Sequence, residues 1–181
     1  MIYFSSGIDL GGFYSTSLKM KTLLLIRHAK SSWNDVILPD FERPLNERGK
    51  HDAPLMAKRI KEKIEIDAFV SSPAKRAKKT AEIFMDEFDV KEKKLILTPS
   101  LYEATSENFY DTIENLKDKY DTVALFAHNP GITDFINSLE CTPVYDMPTS
   151  AVYAIKIKTK NWKDFRKADK EFLFFDYPKS A

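Results

Sequence analysis

The sequence predicts an α/β fold with a largely parallel sheet, because apolar strand-like runs alternate with segments of helical periodicity. The runs at 22–26, 68–71 and 122–127 are short and mostly apolar, as in central strands covered on both faces. The chain has 181 residues, which suits one domain with a sizeable core.

The first strand, 22–26, is followed by a predicted loop from Trp33 to Phe41. A helix begins near Asn46, a good N-cap residue, and Pro54 is expected to disturb its middle. The predicted inner face of this helix consists of Ala53, Met56, Ile60 and Ile64.

After the strand at 68–71, Pro73 is expected to start a second helix, since proline is favoured in a first helical turn. Its inner stripe is predicted as Ala77, Ala81, Phe84 and Phe88. A short strand follows at 95–97, and Ser106 is expected to cap a third helix. The inner face of that helix is predicted as Phe109, Ile113, Leu116 and Tyr120.

The last third of the chain begins with the strand at 122–127. A short helix follows Pro130-Gly131, and strands at 151–157 and 172–175 come near the end, with a polar connection between them. The inner residues of the short helix are Ile132, Phe135, Ile136 and Leu139.

Residues 1–19 differ from the rest, since they hold three of the five glycines and only one basic residue, Lys19. They lack the basic start and continuous apolar stretch of a secretory signal. We interpret 1–19 as an N-terminal extension that is disordered or not native to the domain, and 20–181 as a single domain. The cytoplasm is the default location, since no run could span a bilayer and Cys141 has no cysteine to pair with.

Charge gives no general reason to expect nucleic-acid binding, because the formal net charge is +1. The basic stretch Lys75–Lys79 is the one candidate for such contacts, but acidic residues follow it closely. We therefore interpret it as a solvated helix face.

Two histidines and two arginines are predicted to meet at the carboxyl edge of the sheet, where open α/β sheets bind ligands. Arg27 and His28 end the first strand, His128 ends the strand at 122–127, and Arg76 follows the strand at 68–71. A buried guanidinium is costly unless an anion pairs with it, so this edge should bind a phosphoryl group. His28 is the candidate nucleophile, because a neutral imidazole keeps one lone pair.

The other candidates carry competing interpretations. Arg76 could be an ordinary solvated helix charge, Arg43 an exposed loop arginine and Glu103 a surface glutamate. If functional, Arg76 and Arg43 would bind phosphate, and Glu103 would donate a proton to the leaving group. His128 would hold the transferring oxygens. Lys30, Ser31 and Ser32 could line the rim, whereas His51 lies inside a helix and receives no role.

Other phosphate chemistries fit poorly. A cysteine phosphatase would need an arginine six positions after Cys141, where Met147 stands. Beyond the first 19 residues only Gly49 and Gly131 remain, so no glycine-rich phosphate loop is present. Three widely spaced histidines without a carboxylate cluster argue against a catalytic metal.

Four segments in order resemble the histidine phosphatase (phosphoglycerate mutase-like) superfamily, with the greatest similarity to its SixA-type phosphohistidine phosphatase branch. They are Leu25 to Trp33 around Arg27-His28, Arg43 to Gly49, Ser71 to Ala77, and His128 to Gly131. Each segment alone is weak, but four in order, covering nearly the whole chain past the extension, are a strong signal. Ala29 replaces the glycine of much of the superfamily, as is usual in the SixA-like branch.

The resemblance implies a three-layer sandwich, a largely parallel central sheet with helices on both faces. It implies that His28 becomes phosphorylated while Arg27, Arg76 and His128 hold the phosphate, with no metal or organic cofactor. Glu103 stands near the place of the general acid of mutase-like members.

The short connections of this chain favour one branch of the superfamily that it resembles over the others. Only Ser100–Thr105 separates a short strand from the next helix, where mutases carry long insertions, so the site should be open. This favours a phosphatase acting on protein phosphohistidine over a mutase, which must hold its intermediate away from water. The alternatives are a small-molecule phosphomonoesterase and a catalytically inactive phosphate-binding module. The substrate, the oligomeric state and the partner that presents the phosphate are left open.

Overall fold

The computed structural model describes residues 20–33 and 37–180, which contain six β-strands and four α-helices. In chain order these are β1 (Lys21–Arg27), α1 (Glu47–Lys61), β2 (Ala68–Ser71), α2 (Lys75–Glu87), β3 (Ile96–Leu97), α3 (Ser106–Glu114), β4 (Thr122–Ala127), α4 (Gly131–Asn137), β5 (Val152–Ile157) and β6 (Lys170–Asp176). Short 3₁₀ turns occur at Asp40–Glu42, Glu92–Lys94, Pro99–Leu101 and Trp162–Asp164. The expectation for residues 1–19 concerns a segment outside the described residues.

One sheet contains all six strands, in the order β3-β2-β4-β1-β5-β6. The first four strands in this order are parallel, while β5 and β6 are antiparallel to their neighbours, which confirms the largely parallel sheet. In the register of β1 with β4, Arg27 lies beside Ala127. His28 and His128, the next residue on each strand, are therefore neighbours at the carboxyl edge.

Helices cover both faces of the sheet, and this confirms the three-layer arrangement. Leu24 and Ile26 of β1 pack in one core cluster with residues of α1 and α2, such as Phe84. Leu23 and Leu25 pack in the other cluster with residues of α3 and α4. Because successive side chains of a strand point to opposite faces, a strand buried on both faces must be apolar throughout.

The cap of α3 was predicted one residue too late. The N-cap is Thr105 and not Ser106: the Thr105 backbone N–H donates to Oδ1 of Asn108 at 2.9 Å, and the Thr105 hydroxyl accepts from the Asn108 backbone N–H. This reciprocal pair needs a polar side chain three residues after the cap. Ser106 would instead be paired with Phe109, which is fully buried in the core.

Other boundaries also differ from the prediction. α1 continues through Pro54, whose side chain is exposed, and ends before Ile64. α2 begins at Lys75 with Ala74 as its N-cap, so Pro73 precedes the helix and does not start it. Phe88 is the C-cap of α2, and Leu116 and Tyr120 lie beyond the end of α3. None of the described helices combines the length and apolarity needed to cross a membrane.

Candidate active site

A cavity of about 800 Å³ opens at the carboxyl edge of the sheet, beside the ends of β1 and β4. All six predicted site residues line it, together with further residues that the sequence did not indicate, such as Asp40 and Tyr102. The predicted six are Arg27, His28, Arg43, Arg76, Glu103 and His128. His51 has an exposed side chain on α1 and does not line this cavity.

The imidazole of His28 is buried, and its protonation state follows from its contacts. Nδ1 lies 2.8 Å from the carbonyl oxygen of Ala29, which can only accept, so Nδ1 carries the proton. The Nε–H of Arg76 donates to Nε2 of His28 at 3.2 Å, and Nε2 therefore bears the lone pair. Burial, followed by electrostatic interactions with His128 and the arginines, lowers the pKa of His28 well below 6.5. The ring is thus a neutral base with a defined nucleophilic nitrogen.

Arg76 is buried in the first turn of α2, so it is not the solvated helix charge considered as an alternative. Its Nη1 donates to the backbone carbonyl of Asp40 at 2.6 Å, and its Nη2 donates to Oδ2 of the same residue at 2.8 Å. Thr80 links α2 to the segment after β1 that contains His28, because its hydroxyl accepts from the Ala29 backbone N–H and donates to the Arg76 carbonyl. Arg76 and His28 are therefore held in a defined relative position.

Arg27 is held from the other side of the site by the segment before β5. Its Nη1 donates to the carbonyl oxygen of Met147 and lies 3.6 Å from Oδ2 of Asp146. Its Nε is buried and has no hydrogen-bond partner among the described residues. Burial lowers the pKa of Arg27, against the attraction of Asp146. A buried N–H group without an acceptor is available to donate a hydrogen bond to a bound anion.

His128 stands beside His28, with the two ring centroids 4.9 Å apart. Its Nε2 lies 2.8 Å from the hydroxyl of Ser72, and its buried Nδ1 has no partner within the described residues. Burial, followed by the charge of Arg76, lowers the pKa of His128 to about 3. This ring is therefore also neutral at ordinary pH.

Asp40 is a residue of the site that the sequence did not predict. Its carboxylate accepts from Arg76, from Nη1 of Arg43 at 2.7 Å and from the hydroxyl of Tyr102 at 3.0 Å. These contacts, led by the hydrogen bond from Arg76, lower the pKa of Asp40 although partial burial opposes them. The only sequence signal was the spacing of Asp40 three residues before Arg43, which is too common to identify a site.

Arg43 is buried, contrary to the alternative of an exposed loop arginine. Its Nε donates to the carbonyl of Ser32 at 3.0 Å, its Nη2 donates to the Ser31 hydroxyl, and its guanidinium stacks on Trp33. The Ser32 backbone N–H donates to the Pro44 carbonyl, which places this segment beside the loop that follows His28.

Glu103 has the least constrained position of the predicted residues. Its side chain is exposed at the cavity, and its backbone φ is 52°, in the left-handed region. Gly131 fixes the distance of this loop from His128, because a Cβ at 131 would lie 1.9 Å from the carbonyl oxygen of Ala104.

The cavity thus contains a neutral imidazole lone pair and is lined by three arginines, one of which contacts that lone pair. Such groups stabilise a trigonal or tetrahedral oxyanion as negative charge shifts during phosphoryl transfer. Among the described residues, no group of three or more histidine, cysteine or acidic side chains could hold a metal ion.

Comparisons with known proteins identify the family. The sequence profile of the histidine phosphatase superfamily (branch 1) matches residues 23–131. An uncharacterised chloroplast protein of Arabidopsis thaliana is 30% identical over 132 residues, which are 68% of this chain and 60% of that protein. The chain thus spans about three fifths of the length of this relative.

Two solved structures share the fold. A protein assigned as the phosphohistidine phosphatase SixA of Nakamurella multipartitia has a TM-score of 0.74 at 18% identity, covering 89% of this chain and 98% of its own. The protein histidine phosphatase SixA complexed with tungstate has a TM-score of 0.71 at 22% identity, covering 87% of this chain and 97% of its own. The chain belongs to branch 1 of the histidine phosphatase superfamily.

Proposed function

We propose that the protein is a phosphatase that transfers a phosphoryl group to Nε2 of His28 and then to water, with protein phosphohistidine as the favoured substrate. The observation that carries the proposal is the bond from Nδ1 of His28 to the Ala29 carbonyl. It leaves Nε2 unprotonated in a cavity lined by arginine. Attack on phosphorus requires that lone pair.

The reaction has two displacements at phosphorus. In the first, the Nε2 lone pair forms a bond to phosphorus while the bond from phosphorus to the leaving group breaks. An oxygen leaving group takes a proton from Glu103, which regains one from the attacking water in the second step, whereas an imidazole leaving group takes its proton from solvent. The phosphorylated ring is an imidazolium, and its Nδ1–H remains bonded to the Ala29 carbonyl. In the second, water attacks phosphorus, the P–Nε2 bond breaks, and inorganic phosphate leaves with the neutral ring restored.

Arg27, Arg76, Arg43 and His128 would bind the transferring oxygens. Arg27 has an unpartnered buried Nε–H and His128 an unpartnered buried Nδ1, so both have hydrogen-bonding capacity that the described residues do not use. Arg76 already lies at the nucleophilic nitrogen. Tungstate is a tetrahedral oxyanion like phosphate, and its presence in a structure of the same fold supports an oxyanion site here.

One structural feature and one chemical argument support protein phosphohistidine as the substrate. The connection from β3 to α3 is short and the proposed acid, Glu103, is exposed at the cavity, so a phosphoryl group carried by another protein could enter. An imidazole leaving group can be protonated before the P–N bond breaks, so it depends less on a positioned acid than an alkoxide does. The SixA names of the two similar structures agree with this choice.

The substrate proposal is tested by comparing kcat/KM for a phosphohistidine-carrying protein with kcat/KM for sugar phosphates, nucleotides and an aryl phosphate. We expect the phosphohistidine protein to be preferred at least about tenfold, a difference of roughly 1.4 kcal/mol in transition-state stabilisation. A preference for small esters would instead support the rival phosphomonoesterase. His28→Ala should abolish turnover of every substrate while the thermal unfolding transition persists. An inactive wild-type protein would indicate a phosphate-binding module.

The role of Glu103 is tested with Glu103→Gln. If Glu103 donates a proton, the substitution should lower kcat/KM for an alkyl phosphate, whose leaving group is an alkoxide. It should have little effect on kcat/KM for a phosphohistidine substrate. An equal effect on both substrates would remove Glu103 from the proton transfer. We also propose that the enzyme needs no metal, so EDTA should leave turnover unchanged. A further proposal is that it acts in the cytoplasm.

A further inference from the structure

Ser72 contacts the ring of His128 and is not among the residues that line the cavity. It follows β2 directly and its side chain is fully buried. Its hydroxyl oxygen lies 2.8 Å from Nε2 of His128 and accepts the backbone N–H of Ala74 at 3.3 Å. Within the described residues this hydroxyl therefore has two hydrogen-bonding neighbours, one of which can only donate.

The position of each proton follows from this arrangement. The Ala74 N–H is a donor, so Nε2 of His128 is the available acceptor for the Ser72 O–H among the contacts of this hydroxyl. The opposite assignment would put the proton of His128 on Nε2 and leave the fully buried hydroxyl proton of Ser72 without an acceptor. It would also leave the lone pair on Nδ1 of His128 unpaired, so two buried groups would lack partners among the described residues. The first assignment leaves only the Nδ1–H unpaired, and a phosphoryl oxygen can accept from it, so the first assignment is favoured.

The same assignment determines what His128 presents at its other nitrogen. With Nε2 accepting from Ser72, the single proton of the neutral ring is on Nδ1, which is buried and unpartnered within the described part of the chain. An N–H at that nitrogen can donate to a phosphoryl oxygen, whereas a lone pair there would repel it.

We propose that Ser72 is a positioning residue that donates its O–H to Nε2 of His128 and thereby keeps the ring proton on Nδ1 for the phosphoryl group. This inference deepens the proposed function and rests on it for the identity of the ligand. The low pKa of His128 is consistent with it, because only a neutral ring needs its tautomer to be fixed.

The direct test is ¹⁵N NMR of the histidine rings in the free protein, which distinguishes a protonated ring nitrogen from an unprotonated one. The chain has three histidines, so His28→Ala and His51→Ala variants complete the assignment. We expect His128 to carry its proton on Nδ1, and inorganic phosphate to shift that resonance. A proton on Nε2 in the wild-type protein would overturn the proposal without any variant.

Two variants and a matched control extend the test. Ser72→Ala should move the proton of His128 partly or fully to Nε2 and lower kcat by about ten- to hundredfold, the usual effect of losing a partner that orients a histidine. Ser72→Thr should restore the tautomer and much of the rate. Ser71→Ala removes an equally buried hydroxyl that donates to the Ser72 carbonyl, and it should leave the tautomer unchanged.

The outcomes separate this inference from the proposed function. An unchanged tautomer in Ser72→Ala, or the same change in Ser71→Ala, would overturn the role of Ser72 even in an active phosphatase. If the wild-type protein turned over no substrate but the tautomer responded to Ser72 and to phosphate as described, the proposed function would fail. The positioning role in oxyanion binding would then stand.

Discussion

Arg76 donates its Nε–H to Nε2 of His28 across 3.2 Å, so in the free site an arginine covers the lone pair that we propose attacks phosphorus. An approaching phosphorus atom must come to about 3–3.5 Å from the same nitrogen. Binding of the substrate therefore has to redirect this N–H from the imidazole to a phosphoryl oxygen.

Arg76→Lys should lower kcat/KM by about a hundredfold or more. Lysine keeps the charge, but its single ammonium cannot reach Nε2 of His28 and both oxygen acceptors of Asp40 with the geometry of a planar fork. Loss of one donor to a transition-state oxyanion typically costs about 10²–10³ in rate. Steady-state kinetics with an aryl phosphate measures the effect. Lys75→Ala, at the exposed preceding residue, is the control, and an equal loss there would contradict the role given to Arg76.

Asp40→Asn should lower the free energy of unfolding in phosphate-free buffer by about 1–3 kcal/mol, the range for losing hydrogen bonds to charged groups. The variant leaves the buried guanidinium groups of Arg76 and Arg43 without a carboxylate partner. Inorganic phosphate should then raise the melting temperature of the variant more than that of the wild type, since it supplies the missing anion.

Glu42→Gln is the matched control for Asp40, because Glu42 lies in the same 3₁₀ turn with an exposed side chain. It should behave like the wild type in both buffers. If phosphate stabilised Asp40→Asn less than the wild type, Asp40 would not be the anion that balances the two arginines.

The stability of the free protein should fall on acidification through its buried histidines. The pKa of His128 is about 3 in the folded state against an ordinary 6.5, so the unfolded chain binds its proton first. Between these two pH values protonation favours unfolding, and the contribution present above pH 6.5 is lost as pH falls toward 3. Denaturant titrations at several pH values measure the slope. His128→Asn should have a shallower slope between pH 6.5 and 5, and an identical slope would contradict the neutral buried state.

Gly131→Ala should destabilise the protein by about 1–3 kcal/mol, the usual cost of overpacking a filled site. The added Cβ would lie 1.9 Å from the Ala104 carbonyl, so either α4 or the loop at 102–105 must move. Because His128 precedes α4, turnover should fall as well. Thermal unfolding and steady-state kinetics together test this prediction. A variant with the wild-type melting temperature and wild-type turnover would show that the close contact between residue 131 and the Ala104 carbonyl is not needed.

The sequence correctly predicted that residues directly following the central strands lie together. Continuous apolar runs locate β1, β2 and β4, and the residues that follow them reach the same cavity because parallel strands end at one edge. The order of the four motif segments also predicted the superfamily that the sequence profile identifies.

The sequence was uninformative where a contact depends on the path of a loop. Asp40 lies in a segment predicted only as a loop, and its bonds to Arg76 join residues 36 positions apart. Ser72 belonged to a recognised motif, but its contact with His128 spans 56 positions. Neither contact produces a periodic signal. The cap of α3 was misplaced because two adjacent hydroxyl residues can both cap a helix. The residue three positions later distinguishes them: Asn108 forms a capping box with Thr105, whereas Phe109, three after Ser106, packs in the core.

The central claim is that one imidazole nitrogen carries the phosphoryl group during turnover. Intact-mass spectrometry after a short pulse of a reactive phosphodonor, quenched at alkaline pH to preserve a P–N bond, measures this directly. We expect the addition of one phosphoryl group, mapped by fragmentation to His28 and lost in His28→Ala. Turnover with no adduct under single-turnover conditions, or an adduct on another side chain, would contradict the account.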